Sequence, residues 1–254
     1  MPVVVAEPFE DLTFLSPLSD SRAGRLVDFA AAGLEGTVLD LGCGWAELLL
    51  RTLAAAPNAR GIGVDRDAAA IGQGRALAEQ RGLADRVELR CGDASVIAPA
   101  RADAVICIGA SQIWGPPVEA KQPLDYTGAL DALRGKVSRG ARVVYGEGIW
   151  SRPPTLAAVA PLAGRLDELI TLAELVELAV GHGFMPVAVS EANADEWDEF
   201  ESGYHACYTS WLAEHGPDDP GAAEIRERAA RQRAAYLGGY RGTMGMAYLA
   251  LIAV

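Results

Sequence analysis

Histidine is scarce in this sequence: His182, His205 and His215 are the only three in 254 residues. Cysteine is nearly as rare, and Cys43, Cys91, Cys107 and Cys207 form no CxxC pair. With no metal-ligand spacing, no metal site is expected, and the four cysteines read as buried free thiols in a reduced protein. Basic charge is also short. Lys and Arg number 22 against 34 Asp and Glu, a formal net charge of −12. That excludes broad, sequence-independent binding to nucleic acid and docking on an anionic membrane, since both need basic surface. The longest apolar run, MGMAYLALIAV, is too short to cross a bilayer, which takes about 20 residues. The first residues, MPVVVAEPFEDL, lack the basic and apolar blocks of an export signal. These absences predict a cytoplasmic protein with no nucleic-acid or membrane partner, acting as a monomer or homodimer. Internal repeats and low-complexity tracts are missing too.

Half of the residues are hydrophobic, enough for a sizeable core. Residues 1–33 read as an arm carrying Phe9, Leu12, Phe14 and Leu15, then a helix closed by Gly33. From there apolar strand-like runs alternate with helical patterns. Strands are expected at Val38 to Leu41, Ala59 to Val64, Arg86 to Cys91, Asp103 to Gly109, Ala141 to Glu147, Phe184 to Val189 and Met244 to Ile252. Such alternation predicts βαβ crossovers and a mostly parallel sheet in a single domain over 1–254. One segment breaks the rhythm. Residues 191–241 place Trp197, Phe200, Tyr204, Tyr208 and Trp211 three or four apart, on one helical face. This insertion is expected to be helical and to serve as core or as a lid over the sheet's carboxyl end.

The first strand runs into the turn Asp40-Leu-Gly42-Cys-Gly44-Trp-Ala-Glu. Ligands of open α/β sheets bind beyond the carboxyl ends of the strands, and the two glycines allow close backbone approach there. Asp65 and Asp93 stand at the ends of the next two strands. Asp65 is placed to take both hydroxyls of a ribose, and Asp93 to accept from an exocyclic adenine amine. Three acids in a row repel phosphate and suit an adenosine that carries positive charge. The spacing also argues against a nicotinamide dinucleotide, because Glu47 occupies the third glycine's place in GxGxxG.

These residues resemble the class I S-adenosylmethionine-dependent methyltransferases: Asp40-Leu-Gly42-Cys-Gly44 for a first motif, Gly63-Val-Asp65 for a second, and Cys91-Gly92-Asp93-Ala94 for a third. The resemblance spans about residues 35 to 150 and departs at Ala46, where the family carries a glycine. The late insertion, with Glu-Trp-Asp-Glu-Phe-Glu-Ser-Gly-Tyr, is similar to a group of bacterial small-molecule methyltransferases. The resemblance implies S-adenosylmethionine as cofactor and a Rossmann-like α/β fold. Its seven-stranded sheet would run 3-2-1-4-5-7-6, with the last strand antiparallel and helices on both faces. It further implies that Asp40, Gly42 and Gly44 meet the methionine part and that Asp65 holds the ribose. Asp93 and Ala94 would hold adenine with Arg66 over it, and the backbone at Gly109 and Ala110 would meet the amino group. Ala46 is expected to open the following helix with tighter packing.

The acceptor side is less legible. The loop GASQIWGPP lacks the Asn-Pro-Pro-aromatic signature used on nucleic-acid and glutamine nitrogens. Ser111, Gln112 and Trp114, with Trp150, Tyr204 and Tyr208, are candidates for a small-molecule pocket. Glu147 is read either as a general base or a partner for a cationic acceptor, or as a strand-end acid bonded to backbone. His205 is read either as a base or as a partly buried, hydrogen-bonded side chain. The reaction expected is in-line methyl transfer to an O or N acceptor. The alternative is a cofactor-binding protein without transferase activity.

Overall fold

The computed structural model describes residues 5, 7, 10–96, 101–116 and 120–254. Phe9 of the arm and the stretch 117–119 of the loop after the fourth strand lie outside the described residues. Seven strands form one sheet: β1 (Thr37–Leu41), β2 (Arg60–Asp65), β3 (Val87–Cys91), β4 (Ala102–Ile108), β5 (Val137–Trp150), β6 (Phe184–Glu191) and β7 (Met244–Ala253). Their order is β3-β2-β1-β4-β5-β7-β6, and β7 runs antiparallel to both neighbours. The expected fold class and strand order are those of the molecule.

Alternation along each central strand feeds two apolar layers. Leu39 and Leu41 of β1, with Val105 and Cys107 of β4, pack on one face under helices α4 (Tyr126–Gly135) and α6 (Leu172–Gly181). Val38, Ala104 and Ile106 point to the other face, under α1 (Asp20–Ala31), α2 (Glu47–Ala55) and α3 (Ala68–Gln80). Successive strand side chains point to opposite faces, so strands buried on both sides read as unbroken apolar runs. Helix starts follow local chemistry. Ser19, Asp67 and Asp125 accept backbone N–H bonds at N-caps, and Thr171 closes a capping box with Glu174.

Two boundaries differ from expectation. β5 is 14 residues long and continues to Trp150, because β7 pairs with it from Arg142↔Ile252 to Trp150↔Met244. Glu147 and Trp150 therefore lie inside the strand and not in a loop. A short helix, α5 (Leu156–Val159), follows it. Ala46 does not begin α2. It caps the helix in the left-handed region, at φ 61° and ψ 26°, the conformation a glycine would take without strain. Not all cysteines are buried, either: Cys107 and Cys207 are, Cys43 is half-buried, and Cys91 is exposed at the end of edge strand β3. All four are free.

The late insertion forms α7 (Ala194–His215), α8 (Ala222–Ala235) and a π-turn, Tyr236–Tyr240. The aromatic face of α7 divides among three clusters. Trp197 and Phe200 join the sheet layer, and Tyr204 packs with Leu12, Trp45 and Ala70. Tyr208 and Trp211 meet Ala222 and Ile225 of α8. At its N-terminus α7 is tied to α1. Glu196 accepts bidentate bonds from Arg22 at 2.9 and 2.8 Å and a further bond from the Ser19 hydroxyl at 2.6 Å. Both side chains are at least nine-tenths buried. Burial alone would raise the Glu196 pKa, but the bonds from Arg22, Ser19 and Asn193 hold it down to about 2. The folded pKa lies below the ordinary 4.5, so the pair's stability is full above that value and is lost as pH falls toward about 2. Arg22→Ala is expected to cost about 3–5 kcal/mol in chemical denaturation by stranding a buried carboxylate. Melting curves of wild type and Glu196→Gln should converge as pH drops through that window; parallel curves would refute the assignment.

Candidate active site

The turn after β1 is bound to the end of β2. The N–H groups of Gly42 and Cys43 both donate to the Val64 carbonyl, at 2.9 and 3.1 Å. The Gly44 N–H donates to Asp65 Oδ2 at 2.8 Å, and the Asp67 N–H to Asp65 Oδ1 at 2.9 Å. Gly42 has φ 74° and Gly44 φ 54°. A Cβ added to Gly42 would stand 2.5 Å from the Cβ of Ala110, so the turns after β1 and β4 meet at a point only glycine can occupy.

Above this junction opens a cleft of about 330 Å³, near the lower end of the size range for small-molecule sites. Its floor is Asp40, Gly42, Gly44, Asp65, Gly109 and Ala110, with Arg66, Gly92 and Ala94 along one side. Gln112 and Ile113, from the single 3₁₀ turn Ser111–Ile113, form another edge. The roof is the N-terminal arm: Phe14, Leu15, Ser16 and Leu18. The arm is pinned there by polar contacts. Trp45 Nε1 donates to the Thr13 carbonyl at 2.9 Å. Tyr248 donates to the Pro17 carbonyl at 2.8 Å and shares a 2.6 Å bond with Ser16. The sequence showed the arm only as a stretch carrying apolar residues; what they cover was not visible in it.

Two carboxyls in the cleft differ sharply. Asp65 is half-buried with both oxygens accepting backbone N–H bonds. Asp40 is buried, and among the described residues no hydrogen bond reaches its carboxyl. Burial first, then the charge of Asp65, pushes its pKa up to about 8. A buried carboxylate without a partner is costly, so the carboxyl keeps its proton unless a positive charge is placed beside it. Glu47 also lines the cleft, but Arg51 and Arg81 hold its two oxygens, at 2.7 and 2.8 Å.

Several residues expected at the site stand elsewhere. Asp93 lies outside the lining and accepts from Ser95 and from Arg66, the latter at 2.5 Å; these bonds lower its pKa to about 2. Ser111 is wholly buried, its hydroxyl 2.7 Å from that of Tyr145. Trp150 is core, its Nε1 donating to the Leu166 carbonyl, and Trp114 packs on the same apolar layer. Tyr204 and Tyr208 pack against the arm and α8 as described. His205 lines a second cavity, between α7 and α8, with Asp198, Arg233 and Arg241; its Nε2 is 2.9 Å from Arg233. Glu147 is buried beneath the β4 turn. It accepts from the Ser111 N–H at 2.9 Å and from the Gly148 N–H at 2.8 Å. Burial raises its pKa, against the bonds from Ser111, Gly148 and Ala110. Its geometry is that of an acceptor holding the turn that carries Ala110 and Gln112.

Residues 38–122 match the family model described as a methyltransferase domain. A methyltransferase from Geobacter sulfurreducens, dependent on S-adenosylmethionine and solved with S-adenosylhomocysteine, superposes at a TM-score of 0.82. It is 26% identical, over 97% of this chain and 96% of that one. A counterpart from Thiobacillus denitrificans, solved with the same ligand, gives 0.80 and 26% over the same shares. In fold and in the matched segment the chain is similar to the S-adenosylmethionine-dependent methyltransferases. At the level of an individual protein, the chain is similar to YjhP of Escherichia coli, 29% identical over 219 residues, 85% of this chain and 84% of YjhP. The X-ray structure of YjhP superposes at a TM-score of 0.81 over 97% and 98% of the two chains.

Glu147→Ala is expected to destabilise the protein by about 3 kcal/mol, since it leaves two buried N–H groups without an acceptor. Amide exchange should accelerate at residues 110–113 more than along β1. Uniform acceleration would show that Glu147 does not hold the turn.

Proposed function

We propose that this chain holds S-adenosylmethionine in the cleft and directs its methyl group to an oxygen or nitrogen of a small-molecule acceptor. The observation that carries the reading is the buried, unpartnered carboxyl of Asp40, set beside the glycine cradle of Gly42 and Gly44. The cofactor, when bound, supplies a methyl carbon on a positively charged sulfur and an ammonium group. Asp40 then gains the positive charge its surroundings lack. Asp65 takes the ribose hydroxyls, which its ordered carboxylate suits. Gly92 and Ala94 seat the adenine, and Asp93 serves its amine once Arg66 turns outward. The Gly109 and Ala110 backbone faces the methionine end. The arm and the Gln112 edge exclude water and orient the acceptor, which is the main demand of an in-line displacement.

On this reading 1–254 is one catalytic domain, and α7 with α8 (191–241) forms a lid that presses the arm onto the cleft through Leu12 and Tyr204. His205 takes no part in the chemistry. The partner is a small molecule. Among the described residues no helix is long and apolar enough to cross a membrane, and the net charge of −12 opposes nucleic acid. A cytoplasmic monomer or homodimer fits that surface.

Isothermal titration should show S-adenosylmethionine and S-adenosylhomocysteine binding at micromolar concentrations; no binding of either below the millimolar range would sink the proposal. Asp65→Asn should weaken both by about tenfold or more, the value of charge-assisted bonds. Binding should also release a proton. At pH 7 most of the Asp40 carboxyl is protonated in the free protein, given its pKa of about 8, and a cation beside it favours ionisation. The binding enthalpy should therefore vary with the ionisation enthalpy of the buffer, and Asp40→Asn should abolish that dependence.

A further inference from the structure

The part of the cleft left over by the cofactor has a chemistry of its own. Adenosine is allotted Asp65, Gly92 and Ala94, and the methionine end is allotted Asp40, Gly42, Gly44 and the Gly109–Ala110 backbone. What remains is chiefly Phe14, Leu15, Leu18, Leu48, Ile108 and Ile113. Two neutral polar side chains interrupt this wall. Ser16 is engaged with Tyr248. Gln112 donates its amide Nε2 to the Gly109 carbonyl at 3.1 Å, which leaves its Oε1 as an acceptor at the edge of the cleft.

Among the described residues no side chain lining the cleft offers an uncommitted positive charge. Asp40, Glu47 and Asp65 line it, and Arg66, its one lining cation among the described residues, is committed to Asp93 on the adenine side. An anionic acceptor would find no cation to pair with there, a partner that a neutral acceptor does not need. Among the described residues this wall also offers no free proton acceptor. Both oxygens of Glu47 are held by arginines, Glu147 lies under the turn, and His205 is in the other cavity. A hydroxyl acceptor needs a base before it can attack; an amine carries its own lone pair once its proton has gone to water.

We infer that the acceptor is a compact apolar amine, seated against the Phe14–Leu18 arm with its nitrogen held by Gln112 Oε1 beside the β4 turn. The neutral nitrogen's lone pair forms the new C–N bond as the C–S bond breaks, and the bonding pair returns to sulfur to give S-adenosylhomocysteine. The methylated ammonium then gives its extra proton to water. The inference rests on the cofactor placement above, so the two are separated in the test.

Binding of S-adenosylhomocysteine is measured first; its failure removes the cofactor placement. With that ligand saturating, three molecules of similar shape are titrated: 2-phenylethylamine, 2-phenylethanol and 3-phenylpropanoate. The amine is expected to bind at least tenfold more tightly than either of the others. Leu15 is half exposed at 46%, so charge there is tolerated by the fold. Leu15→Lys should weaken the amine at least fivefold relative to the alcohol, and Leu15→Glu should not. With S-adenosylmethionine, kcat/KM for the amine should rise with pH up to the amine's own pKa. Equal or tighter binding of the alcohol or the carboxylate overturns the inference, as does failure of the amine to bind in the millimolar range while S-adenosylhomocysteine binds.

Discussion

Everything at the carboxyl end of the sheet depends on how the β1 turn is fastened to β2. Three successive N–H groups, from Gly42, Cys43 and Gly44, find acceptors on Val64 and Asp65. That arrangement needs left-handed backbone at Gly42, Gly44 and Ala46, two of them glycine and one not. The price of Ala46 is local strain, offset by a methyl group buried in the α1–α2 layer. Because the turn is fixed, Asp40 is held facing the cleft with no partner, and Ala110 can rest against the bare face of Gly42.

The second constraint is the arm. Its residues enter the cleft only because the chain is pinned at Thr13 by Trp45 and at Ser16–Pro17 by Tyr248. Arg51 stacks over Phe14 at 4.8 Å from the ring centroid. Leu12 fits against Gly203 of α7, where even a methyl group would collide. The Arg22–Glu196 pair joins α1 to α7 a few residues further on. Arm, α1, α7 and the β1 turn therefore form one packed unit, and the roof of the cleft depends on a pair, Arg22 and Glu196, 174 positions apart. The cleft thus sets carboxyl groups on its floor against an apolar roof.

The sheet and its order were readable because each strand is an apolar run of the right length between turn residues, and βαβ chirality leaves few topologies. The carboxylates at the strand ends were readable because period, glycine and acid fall together. Strand ends were harder. β5 runs on to Trp150 only because β7 arrives beside it from a hundred residues away, and no local signal carries that.

By itself, then, the sequence determined the doubly wound sheet, the glycine turn, and the acids at the ends of three successive strands. These follow from local periodicity and backbone stereochemistry, which act within a few residues. Only the tertiary structure decided which side chains line the cleft. Glu147 is buried under a turn by its long strand, His205 is carried away by α8, and Trp150 is claimed by the core. Phe14, Leu15 and Leu18, unremarkable in an irregular arm, become the wall. Such placements depend on contacts between distant segments, for which spacing along the chain holds no record.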